Sequence, residues 1–76
     1  MRERIENILL DVRADIDFNE EKYLVSDGIF ESIDIITLIT ELEDEFEVSI
    51  GTELIVADNF DSIDAIVELI EKLQTV

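Results

Sequence analysis

Two phrases of nearly the same wording, FESIDII at 30–36 and FDSIDAI at 60–66, each set a serine among acids and isoleucines. Ser32 and Ser62 are therefore the first residues to weigh for chemistry. A serine acts as a nucleophile when a neighbouring base takes its proton, and this chain has no His and no Cys. The commonest base and the best nucleophile are both missing. The 21 acidic residues supply carboxylates in plenty, but none stands in a spacing that demands a site, so an enzyme is not expected. Two roles remain for such a hydroxyl: capping a helix, or accepting a covalent group from another enzyme. A helix N-terminus suits both, because its free N–H groups and positive dipole end welcome a serine oxygen or a phosphate ester.

The elements that must position these serines follow from apolar spacing. Ile5, Ile8, Leu9 and Val12 recur at helical intervals over 3–13, an amphipathic first helix. From Ala14 to Phe30 the period fades into a long connection, which Phe18, Tyr23, Leu24 and Ile29 are expected to pin to the core. Residues 32–47 give the clearest helix, so Ser32 falls at its first position. After the break at Gly51, TELIVA suggests a short helix. A last helix over 62–74 carries Ile63, Ile66, Leu69, Ile70 and Leu73 on one face. The expected fold is all-α: a single-domain four-helix bundle over 1–76 of three main helices and one short one.

Composition agrees with a small helical core. The chain has 76 residues, of which 47% are hydrophobic, with no proline, two glycines and few aromatics. Without cysteine it can form no disulfide or thiolate metal site. The acidic connection fails as a calcium loop: counted from Asp15, the glycine position holds Glu20 and the final glutamate position holds Ser26. No metal site is expected. The first residues are broken by charges throughout, unlike a signal peptide, and no stretch is long enough to span a membrane. A cytoplasmic protein is expected.

The formal net charge is −16. Such a surface repels nucleic acid and anionic membranes and speeds encounter with proteins that carry basic patches. It also favours a monomer, and it opposes compaction, so the fold should be eased by salt.

The helix after Ser32 has more apolar residues than its core contact needs. With Ile35 at zero and about 100° per residue, Leu38, Ile39, Leu42 and Phe46 fall within roughly 60°, a complete core stripe. Ile33, Ile36 and Thr40 fall at roughly 100–160°, with Asp44 close behind. Glu43 and Glu47 flank this second strip on one side, and Asp34, Glu41 and Glu45 on the other. The plain reading is a widened core contact. The sharper one is a docking strip with apolar anchors for affinity and acids for steering and register. After Ser62 there is one core stripe only, so Ser62 or Asp61 reads as the cap of the last helix.

These residues resemble the phosphopantetheine-binding carrier proteins, the acyl carrier proteins and their peptidyl and D-alanyl relatives. The family's mark is an Asp-Ser-Leu triplet opening the second helix of a four-helix bundle. Glu31-Ser32-Ile33 looks like that triplet, with Glu in place of Asp. SIDIITLITELEDEFEVSI continues the family's pattern of apolar positions, acidic run and closing Phe, and the likeness extends over nearly the whole chain.

The resemblance implies that Ser32 carries 4′-phosphopantetheine through a phosphodiester. Acyl or aminoacyl groups would then be held as thioesters on the arm's own thiol, which suits a chain without cysteine. It implies a docking set of Glu31, Ile33, Asp34, Ile36, Thr40, Glu41, Glu43 and Asp44. The implied partners are a phosphopantetheinyl transferase, a loading ligase, and a downstream acyltransferase or synthase of fatty-acid, polyketide, nonribosomal-peptide or D-alanylation type. The alternative is an acidic interaction module that docks basic partners through 32–47 with no covalent cofactor.

Overall fold

In the computed structural model, which describes residues 1–75, four α-helices and one 3-10 turn follow one another with no strand among the described residues. Helix α1 spans Arg2–Val12, α2 Ser32–Phe46, α3 Ala57–Phe60 and α4 Ile63–Gln74. The expected small all-helical bundle is what forms. Helix α1 packs against α2 and α4, and α3 packs against α4. The Cα radius of gyration is 11.2 Å, close to the roughly 11 Å of a compact chain of this length.

Each long helix buries the stripe its spacing marks. Ile5, Ile8 and Leu9 of α1, Leu38, Leu42 and Phe46 of α2, and Ile63, Ile66, Leu69 and Ile70 of α4 make the centre of the core. Ile35, Ile39, Val12 and Leu73 pack half-buried at its margin. Helix α1 stops at Arg13, whose backbone turns extended while its N–H still bonds the Leu9 carbonyl. Helix α2 stops at Glu47, which takes the left-handed conformation, φ 53°, the geometry that closes many helices.

The long connection from 14 to 31 is folded by its own packing. Ile16, Phe18, Leu24 and Phe30 are buried, and the Phe18 and Phe30 rings lie 5.9 Å apart at 47°. The two ends of the connection therefore meet over the core. Tyr23 does not join them, because it is 59% exposed. Leu24 N–H bonds the Asp61 carbonyl at 2.8 Å, and the chain then turns, Asp27 N–H returning to the Tyr23 carbonyl at 2.9 Å. With Leu24 drawn inward at this turn, its neighbour Tyr23 faces solvent.

The short helix also sits later than expected. Thr52–Leu54 is a single 3-10 turn, Ile55 and Val56 leave it exposed, and α3 begins only at Ala57. Phe60, 1% exposed, is the large side chain this segment delivers to the core. Asn59 holds the arrangement by donating from Nδ2 to the Leu54 carbonyl at 2.8 Å.

Candidate functional site

Ser32 is the first residue of α2 but not its cap. The cap is Glu31, which forms a reciprocal capping box with Asp34. Glu31 N–H donates to Asp34 Oδ2 at 3.0 Å. The two acids thus satisfy two of the donors at the helix start, the Glu31 and Asp34 amides, and complement its dipole. The Ser32 side chain is left exposed, and its hydroxyl has no hydrogen-bond partner among the described residues.

The second phrase is shifted by one residue. Ser62 is itself the cap of α4, its Oγ accepting the Ala65 N–H at 3.2 Å. Asp61, which corresponds in the phrase to Glu31, turns away to the long connection. It accepts from Val25 N–H, Ser26 N–H and Ser26 Oγ at 2.9, 2.8 and 2.6 Å.

Ile33 and Ile36, the isoleucines surplus to the core stripe, are 63% and 61% exposed. With Thr40 and Asp44, both exposed, they make a strip that begins beside Ser32 and runs down the outer face of α2. Thr37 and Thr40 turn their hydroxyls inward onto the carbonyls of Ile33 and Ile36, at 2.9 and 3.0 Å. Both hydroxyls are thus committed to the backbone of the helix itself.

The acids around the strip divide by what the fold asks of them. Asp34 caps the helix and pairs with Arg13 Nη1 at 3.0 Å, its side chain only 13% exposed. Glu43 is half-buried and accepts the Ile50 N–H at 2.8 Å, tying the end of α2 to the following segment. Glu41 and Asp44 line an open groove of about 290 Å³ with Ile8, Asp11 and Glu45. Glu31, Asp44 and Glu47 are exposed. Of the eight docking residues expected from sequence, Glu31, Ile33, Ile36, Thr40 and Asp44 face solvent. Glu41 is half-covered, and Asp34 and Glu43 hold structure together.

Every basic side chain is paired with an acid: Arg2 and Lys22 with Asp64, Arg4 with Glu45, Arg13 with Asp15 and Asp34, and Lys72 with Glu68. Arg4 also donates to the Glu45 carbonyl at 3.2 Å and lies 4.5 Å over the Phe46 ring. It supplies positive charge at the C-terminal end of α2, which has no basic residue in its own last turn. Hydrogen bonding to Asp15, then to Asp34, raises the Arg13 guanidinium above its ordinary range, and the Arg13 bond holds the Asp15 carboxyl below its own. The five basic side chains are thus all engaged by acids of the same chain, and the remaining acids carry the net charge of −16.

The role of Asp61 was missed at the sequence level. Its only signal was the doubled phrase, which pointed to a second cap and carried no mark of a partner 35 positions away. No helix among the described residues is long and apolar enough to cross a membrane. No family model matches the chain, and no curated protein matches it.

Proposed function

We propose that the chain is a carrier protein whose Ser32 hydroxyl is the attachment point for 4′-phosphopantetheine and whose α2 face docks the enzymes that use it. The observation that carries this reading is the division of labour at the start of α2. Glu31 and Asp34 do the capping, so Ser32, the residue type best fitted to cap, is exposed and uncommitted. A group on its Oγ would project into solvent beside Ile33 and Ile36 without displacing any hydrogen bond of the fold. Bound there, the arm supplies a terminal thiol on which acyl or aminoacyl groups are held as thioesters.

The protein in this reading is a cytoplasmic substrate of enzymes rather than an enzyme. A phosphopantetheinyl transferase installs the arm, a ligase loads it, and an acyltransferase or synthase takes the cargo. Ile33 and Ile36 supply apolar contact, while Glu31, Asp44 and Glu47 steer basic surfaces toward the strip. Weak contact with fast, electrostatically guided encounter suits a shuttle that must leave each partner.

The test is incubation with a promiscuous phosphopantetheinyl transferase and coenzyme A, followed by intact-mass measurement. Wild type is expected to gain one arm and Ser32→Ala none. A wild-type chain that gains nothing, or an arm that persists on Ser32→Ala, overturns the reading. Binding of basic partners without any arm would then favour the non-covalent docking module.

A further inference from the structure

The turn that presents Ser32 is tied to the end of α1 by one side chain. Arg13 Nε and Nη2 each donate to a carboxylate oxygen of Asp15 at 2.9 Å, a fork that fixes the plane of the guanidinium. The remaining nitrogen, Nη1, donates to Asp34 Oδ2 at 3.0 Å and to the Ile29 carbonyl at 3.3 Å. Asp34 Oδ2 is the same atom that accepts the Glu31 N–H. One oxygen therefore joins Arg13 to the residue immediately before Ser32.

The side chains of Arg13 and Asp34 are 29% and 13% exposed, which sets them apart from the open pairs of Arg2, Arg4, Lys22 and Lys72. Among the described residues, Arg13 is the cation that bonds chain on both sides of Ser32: Ile29 before it and Asp34 after it.

We infer that Arg13 is a positioning residue for the covalent modification of Ser32, acting through Asp34 to hold the 29–34 turn in one conformation with the hydroxyl outward. The inference rests on the carrier reading. In the modifying step Ser32 Oγ gives its proton to a base of the transferase and forms a bond to a phosphorus of coenzyme A. The bond from that phosphorus to the adenosine bisphosphate breaks, and the latter leaves with the electron pair. Alignment of Oγ with the breaking bond sets the rate, and a turn that samples several conformations presents it correctly for less of the time. Arg13 also neutralises the enclosed Asp34 charge close to where an anionic reactant must approach.

The experiment uses the full chain as wild type, Arg13→Gln, Arg13→Lys and Asp34→Asn. Steady-state modification of Ser32 by the transferase and amide hydrogen exchange are measured on each. Arg13→Gln is expected to lower kcat on the order of tenfold while KM for the carrier stays near that of wild type, since Ile33 and Ile36 are untouched. Exchange of the Glu31 amide should quicken while that of Leu38 and Leu42 in the core does not. Arg13→Lys, which keeps the charge without the fork, should recover part of the loss, and it serves as the readable variant should the glutamine form unfold. Asp34→Asn should reproduce the kcat loss.

An unchanged kcat, or an unchanged Glu31 exchange rate, overturns the inference. So does a loss accompanied by equally faster exchange at Leu38 and Leu42, because Arg13 is then merely structural. If wild type accepts no arm, the carrier reading itself fails. That outcome is distinct from normal modification of Arg13→Gln, which removes the positioning role alone.

Discussion

Ser26 Oγ donates to Asp61 Oδ2 at 2.6 Å, while the other oxygen of the same carboxylate accepts the Val25 and Ser26 N–H groups. The tip of the long connection is thus bonded to the residue just before α4. Burial raises the Asp61 pKa, but the Ser26 hydroxyl and the amides of Ser26 and Val25 outweigh it and hold the carboxyl below its ordinary 3.8. Asp61→Ala removes all three bonds and is expected to cost about 1–2 kcal/mol, seen as a fall in Tm of roughly 5–10 °C. Asp58→Ala, an exposed acid on α3, should change stability by less than about 0.5 kcal/mol.

The same bonds set a pH dependence. A carboxyl with its folded pKa below its unfolded value adds stability above the unfolded value and loses it as pH falls through the folded one. Asp61 is held down by Ser26 and Val25 against its burial, Asp15 chiefly by Arg13, and Asp64 chiefly by Arg2. Their stabilisation should therefore be complete above pH 3.8 and fade below it. Chemical unfolding followed from pH 6 to pH 2 should show this acid limb, and it should be shallower in Asp61→Ala. An equally steep limb in the variant would show that Asp61 has no part in it.

Salt should stabilise the fold rather than weaken it. Screening weakens the exposed ion pairs, each of small worth, but it also weakens repulsion among the acids behind a net charge of −16. Because all five cations are already paired, the unmatched negative charge is the larger effect. Thermal unfolding measured from about 10 mM to 500 mM NaCl, where the screening length shrinks from about 30 Å to a few ångströms, should show Tm rising by several degrees. A falling Tm would mean that the ion pairs dominate.

Two neighbours on α2 should part sharply on substitution. Leu38 is fully buried, and Leu38→Ala is expected to cost about 2–5 kcal/mol, enough to unfold much of so small a domain. Ile36 is 61% exposed, and Ile36→Ala should stay within about 0.5 kcal/mol of wild type. In the proposed function Ile36→Ala should nevertheless slow arm attachment or loading by raising KM. Circular dichroism melts and modification kinetics on the two variants check both halves of the contrast.

How far these elements were legible depended on how local their causes are. The core stripe of Leu38, Leu42 and Phe46 follows from helical period alone; the period also marks Ile33 and Ile36 as surplus to that stripe, but only the packing shows them exposed rather than widening the core contact. The exposure of Tyr23 could not be read in advance: the turn it belongs to is bonded to a distant segment, Leu24 N–H to the Asp61 carbonyl, and local spacing does not say which of Tyr23 and Leu24 enters the core. The onset of α3 at Ala57 was likewise set by where Phe60 must enter the core, whereas TELIVA locally resembles a helix. The Asp34 capping role is local, since an acid three residues after Glu31 is a capping-box spacing, although the resemblance assigns Asp34 to the docking set alone.

The two serines give the sharpest test, because the phrases around them predict equal behaviour and their hydrogen bonds do not. Ser62 Oγ accepts the Ala65 N–H, so Ser62→Ala leaves a helix start unsatisfied and should cost about 1 kcal/mol. Ser32 contributes no side-chain cap, that work falling to Glu31 and Asp34, so Ser32→Ala should stay within about 0.5 kcal/mol of wild type. Arm attachment should show the reverse order, surviving Ser62→Ala and vanishing in Ser32→Ala. Denaturant melts beside intact-mass spectra on the pair separate the two properties. If Ser32→Ala destabilised the fold as much as Ser62→Ala, the Ser32 hydroxyl would be a cap after all, and an arm on it would have to disrupt the helix that presents it.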